Sequence, residues 1–241
     1  MKKGLTITMA AALILFCAAI VTVYVSIGSI IVDTVEAEGT DLTQTRVTLE
    51  NADFSPTTGT ATLLNLKVSN PKGFSSPTAF SFDTIELWVD PETLPTDTLH
   101  IRSLIIAAPE IIYELSSSTD NLRTLKHYIE NSSRQSVSGK KLIIDNFYIK
   151  NGVVIVQAEE LKGERKTARL ADIHLKDIGR LENGLTPAEA VQQILTPVLR
   201  QTTLAALKTD LNLSDQARNI LNGALDETEK AFNSLKNLLN Q

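Results

Sequence analysis

Cysteine is nearly absent from this chain. Cys17 is the single one in 241 residues, and it lies inside an apolar N-terminal run, so no intramolecular disulfide can staple the rest, whose stability has to come from packing. Aromatic residues make up only 5%, with Trp88 the one tryptophan, which leaves little material for base-stacking platforms or carbohydrate-binding clefts. Positive charge is short as well. Lys2 and Lys3 are the only charges in the first 32 residues, so the remaining 209 carry 21 of the 23 Lys and Arg and all 28 Asp and Glu, a balance of −7 that argues against a nucleic-acid partner. With 11 Gly and 8 Pro and 43% hydrophobic residues, the composition excludes a collagen-like or disordered chain.

The usual carriers of chemistry are missing too. His100, His127 and His174 fall in three separate segments, and no His, Cys, Asp or Glu set has metal-ligand spacing. There is no Gly-x-Ser-x-Gly elbow, phosphate-binding loop or dinucleotide fingerprint. Asp172 and His174 share one strand face, about 7 Å apart, but without further partners they read as a solvated face. Glu110 and Glu114 read as outward-pointing on a strand, and Asp53, Asp83, Asp90 and Glu92 as solvated turn residues. The expectation is a protein that is not an enzyme, with no catalytic residues, no metal and no cofactor.

What the chain does have is a run of 29 uncharged residues, Gly4 to Val32. As a helix it would reach about 43 Å, against a hydrocarbon core of about 30 Å. Lys2 and Lys3 precede it and Asp33, Glu36 and Glu38 follow, which places the N-terminus in the cytoplasm and the body outside. A cleaved signal peptide is the competing reading, but its apolar region would be about half as long. The expectation is a single span in a bacterial inner membrane, with the body in the periplasm.

Between Leu42 and about Ile178, short β-rich segments alternate with Gly, Pro, Asn and Ser. In Thr58–Ser69, Leu64, Leu66 and Val68 share one face, and in Ser81–Asp90 so do Ile85, Leu87 and Val89. Further strands are expected at Leu99–Ile106, Glu110–Leu115, Lys141–Lys150, Val153–Glu160 and Lys166–Ile178, with Asn151-Gly152 as a hairpin turn. A short helix over 121–131 carries Leu122, Leu125, Tyr128 and Ile129, and Ser132–Gly139 has loop composition. After Gly179 the period changes to 3.6. Thr186, Pro187 and Glu189 form a capping box at the start of a helix that Pro197 should kink or divide. A last helix from Ser214 has a seam of Ala217, Leu221, Ala224, Thr228, Ala231, Leu235 and Leu238, widened by Ile220, Leu225, Phe232 and Leu239. Its width suits docking on the chain's own body first, then self-association or an envelope protein partner, and last a membrane surface.

Taken in order, Gly59-Thr60, Leu63, Leu66, Val68-Ser-Asn70-Pro71-Lys-Gly73-Phe74, Pro77, Ala79-Phe80, Ile85, Asp90-Pro91, Leu94, Leu99, Ile101, Leu104-Ile105, Pro109-Glu110-Ile111, Tyr113-Glu114, Asn121-Leu122, Asp172-Ile-His-Leu175 and Leu185-Thr-Pro-Ala-Glu189 give a pattern that resembles the AsmA-like proteins of Gram-negative envelopes, which are similar in turn to chorein-type bridge-like lipid-transfer proteins. The resemblance covers roughly residues 1–205 and implies an inner-membrane anchor and a curved sheet whose apolar side holds acyl chains.

The expected fold is mainly β with α: a transmembrane helix at 1–32, a curved antiparallel sheet of about eight strands at 33–180 forming a groove, and a C-terminal helical region at 181–241. Groove-lining, lipid-binding candidates are Leu64, Leu66, Val68, Ile85, Leu87, Val89, Leu99, Ile101, Ile105, Ile111, Tyr113, Leu115, Leu142, Ile144, Val153 and Ile155. About eight strands at about 5 Å each span roughly 40 Å, too short to bridge two membranes. Two functions compete: a membrane-anchored periplasmic module that binds phospholipid acyl chains, and a non-enzymatic scaffold whose C-terminal helices cap the sheet and recruit an envelope partner. A dry core filled by those helices is the structural alternative to an open groove.

Overall fold

The computed structural model describes residues 27–133, 140–158, 165–208 and 215–239. A helix α1 (27–43) leads into ten strands: β1 (Val47–Thr48), β2 (Asn51–Ser55), β3 (Thr60–Ser69), β4 (Thr78–Val89), β5 (Thr98–Ala107), β6 (Glu110–Leu115), β7 (Lys141–Lys150), β8 (Val153–Ala158), β9 (Arg165–Arg169) and β10 (Ile173–Ile178). Helix α2 (Asn121–Ser133) lies between β6 and β7, and α3 (Pro187–Leu207) and α4 (Asp215–Leu239) follow the sheet. The fold is therefore α+β. The sheet is not closed. It also differs from the expected antiparallel sheet of about eight strands: it has ten, and it is mixed, because β5 pairs with β7 and β6 with β8 in parallel. Helix α2 is the crossover that parallel neighbours require.

Three strand pairs are really long strands broken at the same level. β5–β6 breaks at Ala108-Pro109, β7–β8 at Asn151-Gly152 and β9–β10 between Leu170 and Asp172. Hydrogen bonds run across the breaks, from Ala108 N to Lys150 O (2.7 Å), Val153 N to Pro109 O (2.8 Å) and Leu170 N to Gly152 O (2.9 Å). Asn151-Gly152 is thus a crease and not the expected hairpin, since β7 pairs with β5 and β10 while β8 pairs with β6 and β9. The dipeptide has the conformation its chemistry favours, with Asn151 at φ 55°, but neighbouring strands put it to a different use. Gly152 is required by crowding. A Cβ there would stand 2.8 Å from Leu170 Cδ2 and 3.1 Å from Pro109 Cγ.

A second line of irregularities crosses the sheet. Trp88 pairs with Ser103 but Val89 pairs with Ile101, so Arg102 is an extra residue in β5. Asn65 in β3 and Asp177 in β10 have φ 53° and 55°. On both sides of each irregularity the core-facing residues change parity: Leu63 then Leu66 in β3, Ile101 then Leu104 in β5, Ile144 then Phe147 in β7, Leu175 then Ile178 in β10.

Helix α3 packs on β6 to β10, α2 packs on β6 and α3, and α4 packs on α3. The capping box is formed as expected, with Glu189 N donating to Thr186 Oγ1 and Thr186 N to Glu189 Oε2. Pro197 is buried inside one continuous helix and does not divide it. At the other edge α1 lies on β1 and β2. A Cβ on Gly39 would stand 3.0 Å from Val47 Cγ1, and one on Gly28 would meet the Ala52 carbonyl oxygen at 2.4 Å. Thr40 Oγ1 and Glu36 Oε1 accept from Val47 N (3.1 Å) and Leu49 N (2.8 Å). The helix thus continues past residue 32, through Asp33, Glu36 and Glu38. Most of the expected 1–32 span lies outside the described residues; among the described residues no helix is long and apolar enough to cross a membrane.

Candidate functional site

One face of the sheet, here the inner face, carries the core. Directly cross-strand neighbours share a face. Val47 pairs with Val68 and Ala52 with Leu63, so α1 covers this face at the β1–β2 edge, while α3 covers it over β6 to β10. Between the two helices lie β3, β4 and β5. Their inner residues Leu63, Leu66, Val68, Phe82, Leu87, Leu99 and Leu104 pack against the core yet stay only half-buried. Phe82 stacks on buried Phe80 with centroids 6.0 Å apart. The result is an apolar floor with a helix along either side.

Of the sixteen positions singled out from the sequence, Leu66, Val68, Leu87, Leu99 and Leu142 are half-buried against the core, and Ile85, Val89, Ile101, Ile111, Tyr113, Leu115 and Ile144 are buried in it. Tyr113 is roofed by α3 rather than open, with Leu199 and Thr203 of that helix beside it. Four positions are misplaced. Leu64 pairs with Thr84 and Asn51, on the opposite face from Leu63, because alternation slips at Asn65. Ile105 lies opposite Leu104 and Ile106 because of the bulge at Arg102. Val153 and Ile155 lie opposite Val154, Val156 and Ala158, all buried in the core.

A polar lock holds the end of β6. Beyond Ile111 that strand has no β4 partner, and the Asn121 side chain fills the place between there and the bridge of Leu115 to Asp120, donating to Ile112 O (2.8 Å) and accepting from Glu114 N (2.9 Å). Asn121 Nδ2 also donates to Asn70 Oδ1 (2.7 Å), and Asn70 Nδ2 donates to Ser76 O (3.0 Å) and Glu114 Oε2 (3.2 Å). Glu114 accepts from Ser75 N (2.6 Å) and Ser76 N (2.9 Å), which binds the Asn70–Pro77 turn down onto the strand. The outward position expected for Glu114 is therefore corrected: it is 7% exposed and fully engaged. Its signal in the sequence was its place within the otherwise apolar run Ile111–Leu115, which marks a strand buried on both faces.

Under α3 and α4 a second polar group is buried. Asp120 caps α2, accepting from Arg123 N at 2.7 Å, and burial raises its carboxyl above the ordinary range despite Arg123. Burial and then the charge of Asp120 push the Tyr113 phenol up as well. The helices meet there around a cavity of about 10 Å³, room for one water molecule. Arg123 and Lys126 reach across to α4, with Arg123 Nη2 donating to Ile220 O (3.1 Å) and Lys126 Nζ 2.8 Å from Glu227 Oε1. Ala217, Leu221, Ala224 and Thr228 of α4 are buried, so α4 docks on the chain's own body.

The remaining titratable residues are spread out. Asp172 Oδ1 accepts from Asn151 N (3.0 Å), while His174 stacks on Tyr148 with centroids 4.2 Å apart and places Nε2 3.0 Å from Asn146 Oδ1, so the two do not form a pair. His100 Nε2 lies 2.8 Å from Asp145 Oδ1, which Arg180 also contacts. His127 Nε2 faces the Asn131 amide at 3.0 Å. Asp90 caps the short 3₁₀ turn Pro91–Thr93 and pairs with Arg102 at 3.0 Å. Among the described residues no group of His, Cys, Asp and Glu could hold a metal ion. No protein-family model matches the chain, and no curated protein matches it either.

Proposed function

We propose that this chain is a membrane-anchored periplasmic module of AsmA-like type that holds lipid acyl chains on the floor formed by β3, β4 and β5. The observation that supports this reading is the uneven cover of the inner face. Where α3 lies, the core is covered, and side chains such as Val154, Val156 and Tyr113 are almost fully buried. On β3 to β5, six leucine and phenylalanine side chains remain half-buried, and α2, α3 and α4 pack on other elements. The apolar surface that these half-buried side chains leave open costs roughly 25 cal/mol per Å² in water, and acyl chains would relieve it. The floor offers no charged group along its length, which suits hydrocarbon and leaves a headgroup in solvent.

The C-terminal helices cap part of the sheet, as the scaffold alternative requires, but they cover β6 to β10 and not the floor. Benzoylphenylalanine placed at Leu104 in the full chain, expressed in a Gram-negative host and irradiated, should give adducts with the mass of phospholipid. Adducts to protein alone would favour a scaffold.

A further inference from the structure

Among the described residues three large apolar side chains are exposed: Ile30 at 61%, Trp88 at 38% and Leu181 at 61%. Isolated exposures are ordinary. These share one end of the molecule. Trp88 is the next-to-last residue of β4 and pairs with Thr60, the first of β3. Leu181 lies in the turn after β10, and Gly184 of that turn would press a Cβ on Lys141 Cβ (2.7 Å) and Thr98 Cγ2 (3.2 Å), at the starts of β7 and β5. Ile30 is on the first described turn of α1, where Gly28 meets Ala52. From there α1 runs to the opposite end, where Ser132 Oγ donates to Asp41 O (3.2 Å) and no large apolar side chain is exposed among the described residues.

The uncharged run Gly4–Val32 enters the described chain at that same end. We infer that this end, with Trp88 and Leu181, rests on the bilayer surface, a conclusion that depends on the reading of that run as a membrane span. Tryptophan favours the interface, where its ring is sheltered and its N–H stays wet. Charge contributes little. Arg102 pairs with Asp90, Arg180 with Asp177 and Asp145, and Lys140 donates to the carbonyls of Leu94 and Thr96, so these three are engaged within the protein and exposed Lys141 is left as a single basic side chain. The partner is therefore a bilayer that need carry no net charge, and the floor strands β3 and β5 begin at its surface.

Trp88 is the only tryptophan in the chain, so its emission reports this contact without a label. The full chain is reconstituted in phosphatidylcholine vesicles, with and without bromine on the acyl chains near the headgroup, and vesicle flotation is followed alongside. Protein that floats with Trp88 emission roughly halved by the brominated lipid is the expected result. Protein that floats with Trp88 unquenched overturns the surface contact and leaves the span standing. Protein that does not float overturns the span and the contact together.

Discussion

The Asn121 side-chain carbonyl accepts a hydrogen bond from the backbone N–H of Glu114 at 2.9 Å, so one amide closes the strand edge that the sheet leaves open. Asn121 is 0% exposed, and the two backbone groups it satisfies, on Ile112 and Glu114, are buried with it. Asn121→Leu keeps the volume but strands the Ile112 carbonyl, the Glu114 N–H and Asn70, and should cost about 2–4 kcal/mol. Urea unfolding of the variant is the check; a change within about 0.5 kcal/mol would show that the amide is replaceable.

At the turn tied down by Glu114, Gly73 adopts φ +99° and a Cβ there would touch nothing within 4 Å. Cost at this position is conformational and not steric, so Gly73→Ala and Gly73→Val should each lose about 1–3 kcal/mol, nearly independent of side-chain size. If Val costs several times more than Ala, something crowds the turn.

Asp120 gives stability an unusual pH dependence. Burial raises its carboxyl above the ordinary 3.8, so the folded state holds that proton more tightly than the unfolded state does. Its contribution is complete below pH 3.8 and is lost as pH rises through the folded value. Asp90 is lowered by its bond to Arg102, and Asp145 is lowered because His100 and Arg180 outweigh its burial, so their contributions fail only as pH falls below 3.8. Asp120→Asn should therefore flatten the profile above pH 3.8, where the raised carboxyl loses its proton, and leave the more acidic limb alone. Parallel profiles for the two proteins would rule out Asp120 as the source.

Helix α4 is held on α3 by small residues, with Leu221, 1% exposed, as the one large buried aliphatic side chain described on it. Leu221→Ala should cost about 2–4 kcal/mol and should speed proteolysis within α4 before that of the sheet. Glu227→Gln, at a side chain 45% exposed, should change stability by less than about 1 kcal/mol. Simultaneous loss of sheet and helix in the Leu221 variant would show that α4 is part of one cooperative unit.

Much of this was legible in the sequence, for local reasons. The capping box at Thr186 and Glu189 and the stripe of Leu122, Leu125 and Ile129 are set by neighbours three and four residues away, and both are found where the spacing placed them. Alternation located the strands and most of their core faces, but it failed where the parity slips. A bulge such as Arg102 is specified by the partner strand, so parity carried through Leu99 and Ile101 puts Ile105 on the wrong side. The same holds for Asn151-Gly152, whose backbone preference is local while its use as a crease depends on β5, β6, β9 and β10. Glu114 and Asn121 were missed because their partners, Asn70 and Ser76, come from about 40 to 50 residues away in the chain.

Lipid carried through purification decides between an open floor and a dry core. Leu87 stands at the middle of the floor, half-buried and directly across from Leu104. The full chain purified in mild detergent should retain phospholipid detectable by mass spectrometry. Leu87→Glu should lose that lipid while the domain still folds, since water can reach the carboxylate once the acyl chains leave, and outward Glu86→Gln should retain it. In a dry core the same unpaired charge would cost several kcal/mol of a total stability of about 5–15 kcal/mol and unfold the domain. Wild-type protein free of lipid, with an unfolded Leu87→Glu variant, would contradict acyl-chain binding.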